Sequence, residues 1–352
     1  EFAPLEKRAE SFLARMRQIP KLLKDGRQNL RDSPEVFTKL AIDVIQGGQI
    51  FFKTVVPQLG TMVPKLKTEL ERAAVDASNA YEEYMKFLKD EYLAKSKGNF
   101  AVGEKIFNFK LDKDHMLPYK ATEILQIGKD AKKLTEDELA EISRTIEANK
   151  NWWEVVEDIK NLHPKSQDLL DAYKKEMIAA RDFVRNKDLV TIPSGEEIEV
   201  IPTPPFDRPT LPYAAYMSPA PFEKQQKGHF YVTPVEENLN NELQEEVLRG
   251  HPTYGIPVIA LHEGYPGHHL QLVHANRNER KLRKLLGSSV FAEGWALYCE
   301  EMMYDTGFYS DSRTKLLKLK DQLWRACRVI IDVGLHAKKM TFEQAVDMLV
   351  NE

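Results

Sequence analysis

The chain has 352 residues, 42% hydrophobic and 30% charged, and its 50 basic and 54 acidic residues leave a net charge of −4. That balance excludes the basic footprint of a nucleic-acid binder, and Cys299 and Cys327, outside any CxxC pair, exclude a disulfide framework or a cysteine-built zinc site. No apolar run approaches the roughly 18 residues of a spanning helix, and the opening EFAPLEKRAE lacks the apolar centre of a signal peptide; a mature exported chain would begin the same way, so the compartment stays open.

The first 186 residues read as helices. LEKRAESFLARMRQIPKLLKDGRQNL places Leu5, Phe12, Met16, Ile19 and Leu22 near helical spacing, with Pro20 ending or kinking the first helix. The next helix takes Asp32 or Ser33 as its N-cap with Pro34 in the first turn, and repeats Phe37, Leu40, Ala41, Val44 and Ile45. KLKTELERAAVDASNAYEEYMKFLKDEYL is a third long helix. TEDELAEISRTIEANKNWWEVVEDI opens on a capping-box pair, Thr135 with Glu138, and SQDLLDAYKKEMIAARDFVRNK is a further helix. From 188 to 236 proline and β-branched residues take over, which predicts short strands and extended loops, with KGHFYVTP (227–234) as a strand. Helices resume over 255–276 with an interruption, over 279–306, over 311–338 and from Thr341. The expected fold class is mainly α, a large helical fold with a small irregular β segment near 188–234. Its regions are 1–187 and 188–352 within one continuous domain.

LHEGYPGHHLQL (261–272) carries the chemistry. A histidine–glutamate pair opens many zinc peptidase motifs, but the usual second histidine four residues on is replaced by Pro266. On a straight helix His262 and His268 would be about 240° apart, and His262 and His269 would share a face about 10 Å apart along the axis. The helix should not be straight. Pro266 has no N–H for the carbonyl of His262, Tyr265 before it is pushed from helical torsions, and Gly267 adds freedom. A break of that kind swings His268 or His269 back toward His262. A third ligand is available about 30 residues on, in SSVFAEGWALYCEEM, where Glu293 stands among Phe291, Trp295 and Leu297; a carboxylate buried there needs a partner. Two histidines and one glutamate form a catalytic zinc set that leaves a position for water.

HEGYPGHHLQ (262–271), FAEGWALYCEEM (291–302), LWRACRVIIDVGLH (323–336) and, upstream, GNFAVGEKIFNFKL (98–111) resemble the bacterial family called domain of unknown function 885. Its members resemble helical zinc metallopeptidases of the gluzincin kind, which carry HExGH and then a glutamate ligand on a later helix. The resemblance implies a metallopeptidase-like helical fold and equates the Gly-His step with Gly267-His268, favouring His268 over His269 as second ligand. It also implies a longer start and a tail beyond FEQAVDMLVNE, so this chain reads as a fragment or a processed product.

The implied cofactor is Zn²⁺ on His262, His268 and Glu293, with Glu263 as general base. The oxyanion needs a further donor, for which His336, Tyr298, Tyr213 and Tyr216 are candidates; each tyrosine also reads as an ordinary half-buried aromatic. His269 is assigned to substrate binding. Arg325, Arg328, Asp332 and His336 form a stripe along one helix, either a salt-bridge ladder or a binder of a substrate carboxylate. GHFYVTP could serve as an edge strand for an extended peptide. NWWEVV (151–156) reads as packing, and NRNERKLRK (276–284) as a solvated basic face. The expected partner is a peptide or small-molecule substrate, with no nucleic acid and no membrane span. The expected function is a zinc-dependent peptidase acting on short peptides. The alternatives are a zinc hydrolase of a non-peptide amide or ester, and a helical scaffold with a vestigial site.

Overall fold

The computed structural model describes residues 3–208 and 210–351. Contacts divide the chain into two units, residues 1–100 with 203–212, and residues 101–202 with 213–352. The first unit holds α1 (Leu5–Met16), α2 (Ile19–Asn29), α3 (Glu35–Met62) and α4 (Lys67–Lys86). Pro20 sits in the first turn of α2, where its missing N–H leaves no bond unmade. The cap of α3 is Pro34 itself, with no side-chain cap bond from Asp32 or Ser33. Leu13 and Met16 of α1, Phe52 and Val56 of α3, and Leu70, Ala73 and Ala77 of α4 form one core. The returning segment 203–212 packs on α3 through Phe206, whose ring lies 5.0 Å from Phe51.

The second unit begins with α5 (Glu104–Lys113), α6 (Ala121–Ile146), α7 (Trp152–Lys160) and α8 (Leu169–Asn186). A three-stranded sheet follows, of β1 (Glu196–Pro202), β2 (Ala214–Met217) and β3 (Gln226–Val232). Then come α9 (Asn241–Arg249), α10 (Ile256–Glu263), α11 (His268–Asn276), α12 (Lys281–Leu285), α13 (Ser289–Asp305), α14 (Ser312–His336) and α15 (Phe342–Val350). The fold is mainly α, as expected. The packing does not divide at 187/188, because α6 runs along α14 and α8 lies against α10, joining α5–α8 to the C-terminal half. Gly128 permits the α6–α14 approach: a Cβ there would lie 2.9 Å from Val329. Thr135 starts no helix. It is buried within α6, its hydroxyl donating to the carbonyl of Ala131, because the helical ATEILQIGKDAKKL run carries straight through it. The helix expected over 279–306 is split at 286–288, where Ser288 caps α13 by accepting from the amide of Phe291.

The strand order is β1-β3-β2, with β1 parallel and β2 antiparallel to β3. KGHFYVTP is therefore the central strand and has no free edge for a peptide; β1 and β2 are the edges. Alternation along β3 buries Gly228, Phe230 and Val232. Phe230 and Val232 join Tyr173, Met177 and Val184 of α8, Leu261 and Leu270 beside the histidines, and Cys299 and Met303 of α13 in one core. Fully burying a side chain such as Leu261 or Leu270 contributes roughly 1.5–3 kcal/mol. The elements that carry the motif are thus fixed by this core. A second cluster joins Leu139, Val155, Val156 and Ile159 to Leu316, Leu319, Leu323 and Cys327. Trp152 packs against it, and Trp153 is exposed. No helix among the described residues is long and apolar enough to cross a membrane.

Candidate metal centre

α10 ends at Glu263 and α11 begins at His268, so Gly264, Tyr265, Pro266 and Gly267 form the break that the sequence predicts. The Tyr265–Pro266 bond is cis. The chain turns back so tightly that the amide of Gly267 donates to the carbonyl of Leu261 at 3.0 Å. A Cβ on Gly267 would lie 1.9 Å from the carbonyl oxygen of His262, which only glycine avoids. The indole of Trp295, on α13, donates to the carbonyl of Pro266 at 2.8 Å and ties the turn to that helix. As a result the rings of His262 and His268 stand edge to face, with centroids 4.8 Å apart.

Glu293 completes the group. Its Oε2 lies 3.9 Å from Nε2 of His262 and 3.7 Å from Nε2 of His268. One donor atom from each of the three residues falls within 4.8 Å of the others. Zinc bonds of about 2.0–2.2 Å to nitrogen and oxygen, at tetrahedral angles, place donors roughly 3.3–3.6 Å apart. The set fits a zinc ion after a small closure of the three donors. Of the eleven residues named in advance, these three are brought together as expected, with Glu263 at their side.

The layer behind them was not foreseen. Nδ1 of His262 donates to Glu300 at 2.7 Å, and Glu300 is fully buried. Arg325 reaches both oxygens of Glu300, at 3.2 and 3.5 Å, and Tyr309 donates to its backbone carbonyl. This bond fixes the His262 tautomer with the Nε2 lone pair toward Glu293. Burial alone would lower the pKa of His262, but the bond to Glu300 and its charge outweigh that and raise it. His268 moves down, through burial and then the charge of His262. Burial pushes Glu263 up to about 7 against the pull of His262, with Glu293 adding to the rise. The backbone N–H of Tyr216, on β2, bonds to Glu263 and draws it partly back.

His269 is excluded as a ligand because both ring nitrogens are occupied. Tyr216 Oη lies 2.8 Å from Nδ1, and Nε2 lies 2.5 Å from Glu196, which Tyr265 also bonds. Burial would raise the Glu196 pKa, but its bonds to His269 and Tyr265 lower it, so it is ionised and accepts from both. His269 and Tyr216 therefore build a buried brace under the turn and present no free group to a substrate.

The family described as bacterial protein of unknown function (DUF885) matches residues 1–352. The chain belongs to this family. Two solved structures share its fold. One, "a putative lipoprotein of unknown function from Shewanella oneidensis", superposes with a TM-score of 0.75 at 26% identity, over 100% of this chain and 66% of that one. The other, "the putative lipoprotein from Colwellia psychrerythraea", has a TM-score of 0.75 at 23% identity, over 97% of this chain and 63% of that one. The chain thus spans just under two thirds of the length of each of these structures. No curated protein matches it.

Of the remaining expected residues, Arg325 reaches the back of the centre through Glu300. His336 closes α14, 11 positions beyond Arg325, or about 16 Å along the axis at about 1.5 Å per residue. It packs on Phe107 and lies 3.6 Å from Asp332. A stripe of that length cannot converge on one point, and only its Arg325 end approaches the histidines. Arg325 bonds Glu300, and its charge also acts on Glu263 and His268; Arg328 lies over the ring of Trp324. Tyr213 packs on His251 and Tyr298 on Trp295, and among the described residues no bond ties either to the centre. Glu300 did leave a signal in the sequence. It follows Glu293 by seven residues, two helical turns on the same face.

Proposed function

We propose that this DUF885 chain is a zinc-dependent hydrolase, a metallopeptidase of the helical gluzincin kind acting on short peptides. The observation that carries the reading is the convergence of His262, His268 and Glu293 on one point beside the carboxyl of Glu263. Bound there, zinc would supply Lewis acidity toward a carbonyl oxygen and lower the pKa of a water. Glu263 takes the proton of the attacking water and passes it to the leaving nitrogen. The backbone of Tyr216 holds Glu263 in place, and Glu300 holds His262. A peptide substrate is favoured over another amide or ester by the position of β2, an edge strand of the sheet that meets Glu263 at Tyr216. The lipoprotein descriptions of the structural relatives favour an exported protein.

Two measurements test the reading together. Elemental analysis of protein purified without added metal should find about one zinc per chain; a content near zero that added zinc does not restore would remove the site. Glu263→Gln should retain the metal while hydrolysis of a peptide library falls by about 10²–10⁴-fold. Comparable turnover by that variant would give the base role to another group.

A further inference from the structure

The basic run at 276–284 is more than a solvated face. Between Arg277 and Phe291 stand five cations, Arg277, Arg280, Lys281, Arg283 and Lys284, and one carboxylate, Glu279, a net +4 in a chain whose total is −4. None of the five has a carboxylate partner among the described residues; Arg277 donates to the carbonyl of Ser194, and Lys284 faces the ring of Phe222. Uncompensated charge of one sign, concentrated in one segment, attracts a surface of the opposite sign.

The apolar residues of the same segment face outward. On α12, Leu282, Leu285 and, just past its last turn, Leu286 fall within about 100° of one another, with Lys281 and Arg283 on the two flanks. An amphipathic helix of a globular protein turns such a face to the core. Here the three leucines are 69%, 59% and 71% exposed. Leu286 and the exposed Phe291 line the same cavity beside α12, so the apolar surface continues onto the start of α13. Phe222, exposed beside Lys284, adds an aromatic ring to it. An apolar patch of this kind with a charged rim marks a docking surface.

We propose that residues 277–291 dock this protein on an anionic lipid bilayer. The order of the groups selects the partner. Leucines at the apex with cations on both flanks match the boundary of a bilayer, where acyl chains lie just beneath a layer of phosphates. A helix lying in that boundary sinks its apolar face by about 5–10 Å, while lysine and arginine keep their charged ends at the level of the phosphates. Each cation near an anionic leaflet strengthens binding by roughly five-fold. The proposal is independent of the hydrolase reading and uses none of His262, Glu263, His268 or Glu293.

The test is co-sedimentation of the full chain with vesicles of phosphatidylcholine alone and of phosphatidylcholine mixed with an equal amount of phosphatidylglycerol. Binding to the mixed vesicles should be at least about ten-fold tighter, and should weaken as salt shortens the Debye length from about 10 Å at 0.1 M to about 3 Å at 1 M. Arg283→Gln/Lys284→Gln should lower it by roughly ten- to thirty-fold. Leu282→Ser/Leu286→Ser should lower it by about ten-fold or more without changing the charge. Both pairs are on the surface, so urea unfolding should match the parent; Arg280→Gln and Leu285→Ser replace any variant that does not fold, with the same direction expected. Equal binding to the two vesicle types overturns the proposal. So does a folded leucine variant that binds like the parent, since the segment would then be a site for anions alone. Sedimentation equilibrium without lipid supplies the remaining arm: self-association that the leucine variant abolishes, with no vesicle binding by the parent, would make this face a contact between copies of the chain and overturn the proposal.

Discussion

Replacing Gly267 by alanine adds one methyl group and removes no ligand, yet it should dismantle the metal centre. The new Cβ would lie 1.9 Å from the carbonyl oxygen of His262 and 2.5 Å from that of Leu261. Both obstacles are backbone, so no side chain can swing aside. Reaching an ordinary carbon–oxygen contact of about 3.2 Å needs more than an ångström of movement between α10 and α11. That movement separates His262 from His268, whose rings now stand 4.8 Å apart. Overpacking of this kind costs about 1–3 kcal/mol in stability, and misplacing ligands lowers metal affinity by roughly 10–100-fold. Gly294, beside Glu293, is the control, since a Cβ there meets nothing within 4 Å. Gly294→Ala in an exposed helix should stabilise by about 0.5–1 kcal/mol and leave zinc affinity unchanged. Chelator competition and urea unfolding on both variants measure the contrast. Zinc affinity in Gly267→Ala equal to the parent's would refute the account of how the turn sets the ligands.

Other perturbations separate the remaining parts. Glu300→Gln keeps an acceptor for His262 but removes the charge that Arg325 and the imidazole share; chelator competition should show zinc affinity down about 10–100-fold, and an unchanged value would make Glu300 a packing residue only. His268→Ala should lose the metal while His269→Ala keeps it and instead lowers stability, because removing His269 strands the buried Glu196; the reverse pattern in metal analysis would exchange their roles. His251 is buried and its pKa is lowered to about 4, by burial and then by the charge of His163. The folded state thus binds fewer protons than the unfolded state between about pH 4 and 6.5, so this contribution to stability is complete above about 6.5 and lost as pH falls toward 4. Between pH 7 and 5 it amounts to roughly 2 kcal/mol; urea unfolding of His251→Gln should show that much less loss than the parent, and an identical pH slope would discount the residue.

The helix break was legible because proline acts locally: Pro266 denies His262 its backbone bond whatever surrounds it. The choice between His268 and His269 was not legible from residue spacing. The two are adjacent, and the turn at Gly267 decides which ring meets His262. Glu293 was visible as a carboxylate in an apolar run, but the same pattern marks Glu300, and only folding shows that one faces the open point and the other the back of His262. The Glu196 brace joins residues 73 positions apart, a pairing that no local period encodes. The strand in KGHFYVTP showed its buried face through alternation, but its place at the centre of the sheet depends on which strands pair with it. The capping pattern at Thr135 was overridden by the helix already running through it.

The nitrogens of the three histidines explain why one turn can carry three imidazoles and use only two. His269 has Tyr216 on one nitrogen and Glu196 on the other, so no lone pair remains for an ion. His262 has one nitrogen on Glu300 and offers the other. His268 has Glu293 near it, on the side where the donors meet, and the ring of His262 beside it. Each occupied nitrogen also anchors the turn to a separate part of the core, to α13 and α14 through Glu300 and Arg325, and to β1 and β2 through Glu196 and Tyr216. The proline–glycine break would leave the turn free if nothing held it. Anchored on both flanks and tied by Trp295 between them, it holds His262 and His268 at a fixed separation before any ion arrives. Affinity at such a centre depends on the buried carboxylates behind the ligands as much as on the ligands themselves, and the two carboxylates divide the work. Glu300 sets the direction and basicity of a ligand, whereas Glu196 sets only where the turn lies.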